Sequence, residues 1–216
     1  MNVTSSSIKG MKVEVPYRLL SNSDNPKGLA IFFPGMGYTV MGPLLHYPTG
    51  MFLNEGWDVL QINYEYKSEE VKDLTEEEFD KMVANDCNKV IDTVIETSGY
   101  GSYFLVAKSI GTIPMSAELQ RPAFKDARAI WLTPLLNEQT VHESMIKSRQ
   151  KAICFIGDQD HHYNQQRFNE LTKNPNLQLH LIPGANHSLE QDFRVLESIK
   201  THKEIMETIQ SFIQKA

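Results

Sequence analysis

The chain has 216 residues, 41% of them hydrophobic and 22% charged, with a net charge of −6, a balance that is globular and excludes a disordered or fibrous chain. That length fits one α/β domain, which buries roughly 70% of the surface its unfolded form exposes. Lys and Arg are unclustered, which argues against nucleic-acid and anionic-membrane partners, and no run of about 18 apolar residues is present to span a bilayer.

The opening segment MNVTSSSIKG lacks a basic stretch followed by an apolar one, so a cytoplasmic location is expected. Residues 1–10 carry nothing periodic to bury and read as a flexible N-terminal arm ahead of a single domain over 11–216. Val13, Val15, Tyr17 and Leu19 then alternate with polar residues as in a half-solvated strand, and Pro16 directs that strand to a sheet edge. LAIFF (29–33) is a continuous apolar run of the kind found in a strand covered on both faces. Similar runs follow at 57–63, 102–108, 127–133 and 151–157, with a more alternating one at 177–182.

Helical stretches separate them. Thr75 and Glu78 form a capping-box pattern ahead of a stripe of Phe79, Met82, Val83, Cys87, Val90, Ile91 and Val94, with Gly99 as its stop. The acidic stretch from Glu69 to Asp80 reads as a solvated face and helix start. Glu138 to Ser148 reads as one short helix, and a second capping-box pattern, Thr201 with Glu204, places the start of the terminal helix. Cys87 and Cys154 fall inside a helix-like and a strand-like run, where free thiols pack as small hydrophobes and no disulfide is expected. Strands alternating with helices predict a mostly parallel, doubly wound sheet with helices on both faces.

In such a sheet, ligands bind beyond the carboxyl ends of the strands, and four of those ends carry chemistry. Ala107-Lys108-Ser109-Ile110-Gly111 joins a strand to a helix, and a nucleophile on so sharp a turn needs small residues two places before and after it. Ser109 alone among the serines has Ala or Gly at both positions. His187 follows a strand on a loop opened by Pro183-Gly184, where an imidazole can serve as base. Asp158 and Asp160 follow the run ending at Gly157, and either could hold the imidazole in one tautomer. Phe33-Pro34-Gly35-Met36-Gly37 leaves the first buried strand with glycines that let bare N–H groups approach a ligand.

The order Ser109, then an aspartate, then His187 resembles that of the α/β-hydrolase superfamily, and the resemblance covers nearly the whole chain from about residue 12. It implies that Ser109 is the nucleophile, that His187 is its base, and that Gly157 through Asp160 match the family's G-x-x-D turn, which selects Asp160 over Asp158. It also implies an oxyanion hole made by the N–H groups of Met36 and Ile110. Ala107 stands where the family's elbow usually has glycine, and Pro34 where a histidine often precedes the oxyanion loop. The expected chemistry is hydrolysis of a small ester or thioester through an acyl-enzyme, with no metal or organic cofactor. Gly35, Gly37, Tyr38 and Lys108 are candidate substrate contacts, although pairing with a nearby carboxylate is the more ordinary role for Lys108.

Two readings from other classes compete. A binding module would keep the fold without catalysis. A metal-dependent hydrolase would use Asp158, Asp160, His161 and His162, but consecutive side chains rarely converge on one ion, and a ligand from elsewhere would be needed. The connection from Pro134 through Gln150 is too short for a large lid. Any cover over the cleft must come from the Tyr38–Tyr47 loop or the Tyr64–Glu78 connection, which favours a small acyl group.

Overall fold

The apolar runs become the inner strands of one sheet. The computed structural model describes residues 1–66 and 68–216, and in chain order its elements are β1 (Asn2–Lys9), β2 (Glu14–Ser21), β3 (Leu29–Phe33), α1 (Pro43–Asn54), β4 (Asp58–Ile62), α2 (Ser68–Val71), α3 (Glu76–Ile95), β5 (Tyr103–Lys108), α4 (Thr112–Glu118), β6 (Arg128–Leu132), α5 (Gln139–Lys147), β7 (Lys151–Gly157), α6 (Gln165–Glu170), β8 (Leu177–Ile182) and α7 (Val195–Gln214). The strands lie in the order β1-β2-β4-β3-β5-β6-β7-β8. From β4 to β8 every pairing is parallel, and β2 is antiparallel to both β1 and β4.

Alternate residues of each inner strand feed opposite faces. Ile31, Phe33, Leu105 and Ala107 pack with Met82, Val83, Cys87 and Val90 of α3, Met115 of α4 and Val141 and Met145 of α5. Phe32, Phe104 and Val106 pack with Leu44, Leu45 and Phe52 of α1 and Ile205, Ile209 and Ile213 of α7. Both faces of the strands are thereby covered, which explains why apolar residues dominate their sequences. The Thr75–Glu78 capping box forms with both reciprocal hydrogen bonds and opens α3, which ends at Ile95, before Gly99.

Three expectations are corrected. Residues 2–9 are not a loose arm: β1 pairs with β2 over its full length while its side chains, apart from half-buried Ile8, stay exposed. Apart from the packing of Ile8 against the core and a Ser7–Glu14 side-chain hydrogen bond, backbone hydrogen bonds hold this edge strand, and hydropathy patterning is blind to them. Because β1 covers β2, Pro16 is not on an edge strand. It stands at the end of the β2–β4 ladder, where its carbonyl still accepts from the Asn63 N–H at 2.8 Å. The terminal helix begins at Val195, not near Thr201. The Thr201 hydroxyl instead accepts from Gln191 Nε2 at 3.2 Å, so it ties the preceding loop to the helix.

The β6–β7 connection is taken up by α5, whose Val141 and Met145 are buried, so it forms no lid. The Tyr64–Glu78 connection carries α2, and Lys67 within it lies outside the described residues. Its first part is anchored: Tyr64 and Tyr66 are buried and stacked with centroids 5.4 Å apart. No helix among the described residues is long and apolar enough to cross a membrane.

Candidate active site

Ser109 follows β5 directly and has φ of +53°, a left-handed conformation that a non-glycine residue adopts only where the surroundings enforce it. Here they do. A Cβ on Gly111 would lie 2.3 Å from the Phe33 carbonyl oxygen, so the chain doubles back against β3 too closely for any side chain. The Thr112 hydroxyl donates to the Ser109 carbonyl at 2.6 Å and accepts from Leu135 N at 3.4 Å, fastening the turn.

The acid comes from the end of β7. A Cβ on Gly157 would lie 1.8 Å from the Ala185 carbonyl oxygen, so this glycine lets the strand end pass against the histidine loop. The two aspartates beyond it part company. Asp158 accepts the Gly184 N–H at 2.8 Å and holds the start of that loop. Asp160 is buried, and its Oδ2 lies 2.8 Å from His187 Nδ1, while its Oδ1 accepts the His162 N–H at 2.9 Å. Burial alone would raise the Asp160 carboxyl, but the bonds from His187 and the His162 N–H outweigh it and hold the pKa below the usual carboxylate value.

His187 Nε2 lies 2.8 Å from Ser109 Oγ. The structure therefore brings Ser109, His187 and Asp160 into one hydrogen-bonded line, with the histidine 24% exposed at its side chain. The loop is shaped by Asn186, whose Oδ1 accepts from Ser188 N at 2.8 Å and Glu190 N at 3.2 Å. Asn186 beside the histidine is a signal for this side-chain turn, and sequence reasoning passed over it.

The loop after β3 comes to the same place. A Cβ on Gly35 would lie 3.3 Å from the Ser109 Cβ, and Gly37 has φ of +70°. Met36 between them is 49% exposed, and Ile110 follows Ser109 on the inner side. A groove of about 520 Å³ runs beside this loop, lined by Arg18, Pro34, Met36, Val40, Asn63 and Tyr64 among others. Tyr38 is less available than expected: its hydroxyl accepts from Leu44 N at 3.0 Å, and burial raises its pKa to about 12.

Lys108 departs from both roles considered for it. It is 1% exposed, so a substrate cannot reach it, and it makes no direct carboxylate pair among the described residues. Its Nζ donates to Thr133 Oγ1 at 3.1 Å and to the His187 carbonyl at 3.0 Å, and lies 4.5 Å from the Tyr38 ring centroid. Burial lowers its pKa to about 8, against the longer-range pull of Asp160 and Glu190. The four-ligand cluster of Asp158, Asp160, His161 and His162 does not form either, because each carboxylate is committed to the histidine loop.

The fold is shared with solved structures. Est1E from Butyrivibrio proteoclasticus matches with a TM-score of 0.71 at 15% identity, over 98% of each chain. An α/β serine hydrolase without lid from Xanthomonas campestris matches at 0.70 and 13% identity, over 99% of this chain and 94% of that one. This is an α/β-hydrolase fold. A Pyrococcus furiosus esterase shares it at 0.73 and 12% identity, over 99% and 92%. No family model and no curated protein matches the sequence.

Proposed function

We propose that this α/β-hydrolase-fold chain is a serine hydrolase that cleaves a small ester or thioester through an acyl-enzyme. The observation that carries the reading is the Ser109–His187–Asp160 line, with 2.8 Å at both links and three members that come from the ends of separate strands. His187 Nε2 takes the Ser109 proton as Oγ attacks the carbonyl carbon. The N–H groups of Met36 and Ile110 receive the oxyanion. His187 then gives that proton to the departing alcohol or thiol, and a water activated by the same nitrogen releases the acid. Asp160 keeps Nδ1 protonated and balances the imidazolium without taking the proton itself.

Ester and thioester bonds suit this site because an alkoxide or thiolate departs more readily than an amide nitrogen, so the single proton on His187 suffices to release it. The names of the similar structures, two esterase-like and one serine hydrolase without lid, favour the same chemistry. With α5 packed down, nothing in the β6–β7 connection lengthens the cleft, so short acyl groups fit best. A panel of aryl esters and acyl thioesters from acetyl to palmitoyl, run with wild type and Ser109→Ala, tests this. Activity confined to wild type and falling with chain length is expected, whereas kcat/KM rising steadily to palmitoyl would contradict the small-acyl assignment.

A further inference from the structure

On the turn after β7, His161 and His162 stand over His187. The ring centroids are 4.2 Å apart for His161–His162, 4.8 Å for His161–His187 and 5.2 Å for His162–His187. One nitrogen from each ring can be chosen so that the three lie within 4.8 Å of one another. Consecutive histidines thus converge, because the turn directs both rings to the same side. Nδ1 of His162 is buried and has no hydrogen-bond partner among the described residues, while the His161 side chain is 69% exposed and leaves a way in.

Three imidazoles with no carboxylate among them are a donor set for Zn²⁺, Cu²⁺ or Ni²⁺ rather than for Mg²⁺ or Ca²⁺. A tetrahedral ion with Zn–N bonds of about 2.0–2.1 Å holds its nitrogens roughly 3.3 Å apart, so side-chain rotation must draw these in by about 1.5 Å. Exposed His161 has the freedom for it. Asp160 already occupies His187 Nδ1, as the oriented carboxylate behind a metal-bound histidine does. The nitrogen left for an ion is Nε2, which now faces Ser109.

We propose that His161, His162 and His187 form a site for an imidazole-preferring divalent cation, with Zn²⁺ as its probe, and that occupancy takes His187 Nε2 away from Ser109. The ion is a reversible brake on the site. Binding depends on the three rings alone; the braking rests on the serine-hydrolase reading above.

The test uses the full chain freed of metal with EDTA and then exchanged into chelator-free buffer. Calorimetric titration with ZnCl₂ should give one ion per chain, and titration with MgCl₂ none. His161→Gln, His162→Gln and His187→Ala should each weaken Zn²⁺ binding tenfold or more. Labelling by a fluorophosphonate, with each protein's rate in Zn²⁺ divided by its own rate without, should fall tenfold or more in wild type, recover on adding EDTA, and return towards one in His161→Gln. Absence of Zn²⁺ binding, unchanged affinity in all three variants, or undiminished labelling at saturating Zn²⁺ overturns the proposal. Failure to label without any Zn²⁺ would count against Ser109 as nucleophile instead, and calorimetry would still decide the site.

Discussion

The ammonium of Lys108 donates to the backbone carbonyl of His187 at 3.0 Å, although the two residues are 79 positions apart in the chain. The residue that precedes the candidate nucleophile therefore holds the loop that carries its partner. Lys108→Met keeps the length of the side chain and deletes the donors, leaving the His187 carbonyl and Thr133 Oγ1 without this partner. Misplacement of a reacting group by even an ångström is costly, so kcat should fall by on the order of tenfold with KM little changed. Steady-state kinetics on one short ester checks it.

Lys108 also links stability to pH. Burial brings its pKa down from 10.5 to about 8 in the folded protein, while in the unfolded chain it stays near 10.4. Below about pH 8 the ammonium is charged in both states and folding bears the full desolvation cost. Between about 8 and 10.4 the unfolded chain binds more protons, so this group's contribution to stability rises with pH. The stability of wild type relative to Lys108→Met should grow by about 2 kcal/mol between pH 7 and 9.5. Urea denaturation of both proteins at the two pH values measures it, and a difference that stays flat or shrinks contradicts the buried ammonium.

The two aspartates after β7 should respond very unequally to the same change. Asp160→Asn leaves His187 in the wrong tautomer and should cost on the order of 10³- to 10⁴-fold in kcat. Asp158→Asn weakens only the support for Gly184 N, with a loss of about 1 kcal/mol in stability and activity within a few-fold. Full activity in Asp160→Asn would remove Asp160 from the mechanism.

Gly111 faces a backbone carbonyl that cannot rotate out of the way, with Phe33 O at 2.3 Å and Pro34 O at 2.7 Å from a Cβ placed there. Gly111→Ala should therefore destabilise by about 3 kcal/mol, lowering Tm by on the order of 10 °C. A thermal melt decides it, and a shift of 1 °C or less would show that the elbow has slack.

What was legible in the sequence follows from which forces leave a pattern. Strands covered on both faces are largely apolar, so β3 to β7 and their carboxyl ends could be located, and with them Ser109 and the aspartate pair, whereas His187 was found from the alternating run of β8 and the Pro183-Gly184 that follows it. Choosing Asp160 took the family's turn spacing, because nothing in Gly157-Asp158-Gln159-Asp160 says which carboxylate faces the histidine. β1 was missed because all its side chains but Ile8 are solvated and it is held mainly through its backbone. The start of α7 was misplaced because Thr201 and Glu204 satisfy the capping pattern in mid-helix, whereas Val195, Leu196 and Ile199 are exposed apolar residues that belong to no buried stripe. Lys108 and the His161–His162 pair were recognised as unusual, but the carbonyl and the ring they meet lie on a loop that only the folded chain brings to them.

The central claim is that Ser109 is an activated nucleophile, and the most direct measurement is the intact mass of the protein after brief treatment with a fluorophosphonate, followed by peptide mapping. Wild type should gain one phosphonyl group per chain on Ser109 with loss of fluoride, while Ser109→Ala and His187→Ala should gain none on the same timescale. An unmodified wild type, or a label carried equally by Ser109→Ala, would contradict the account.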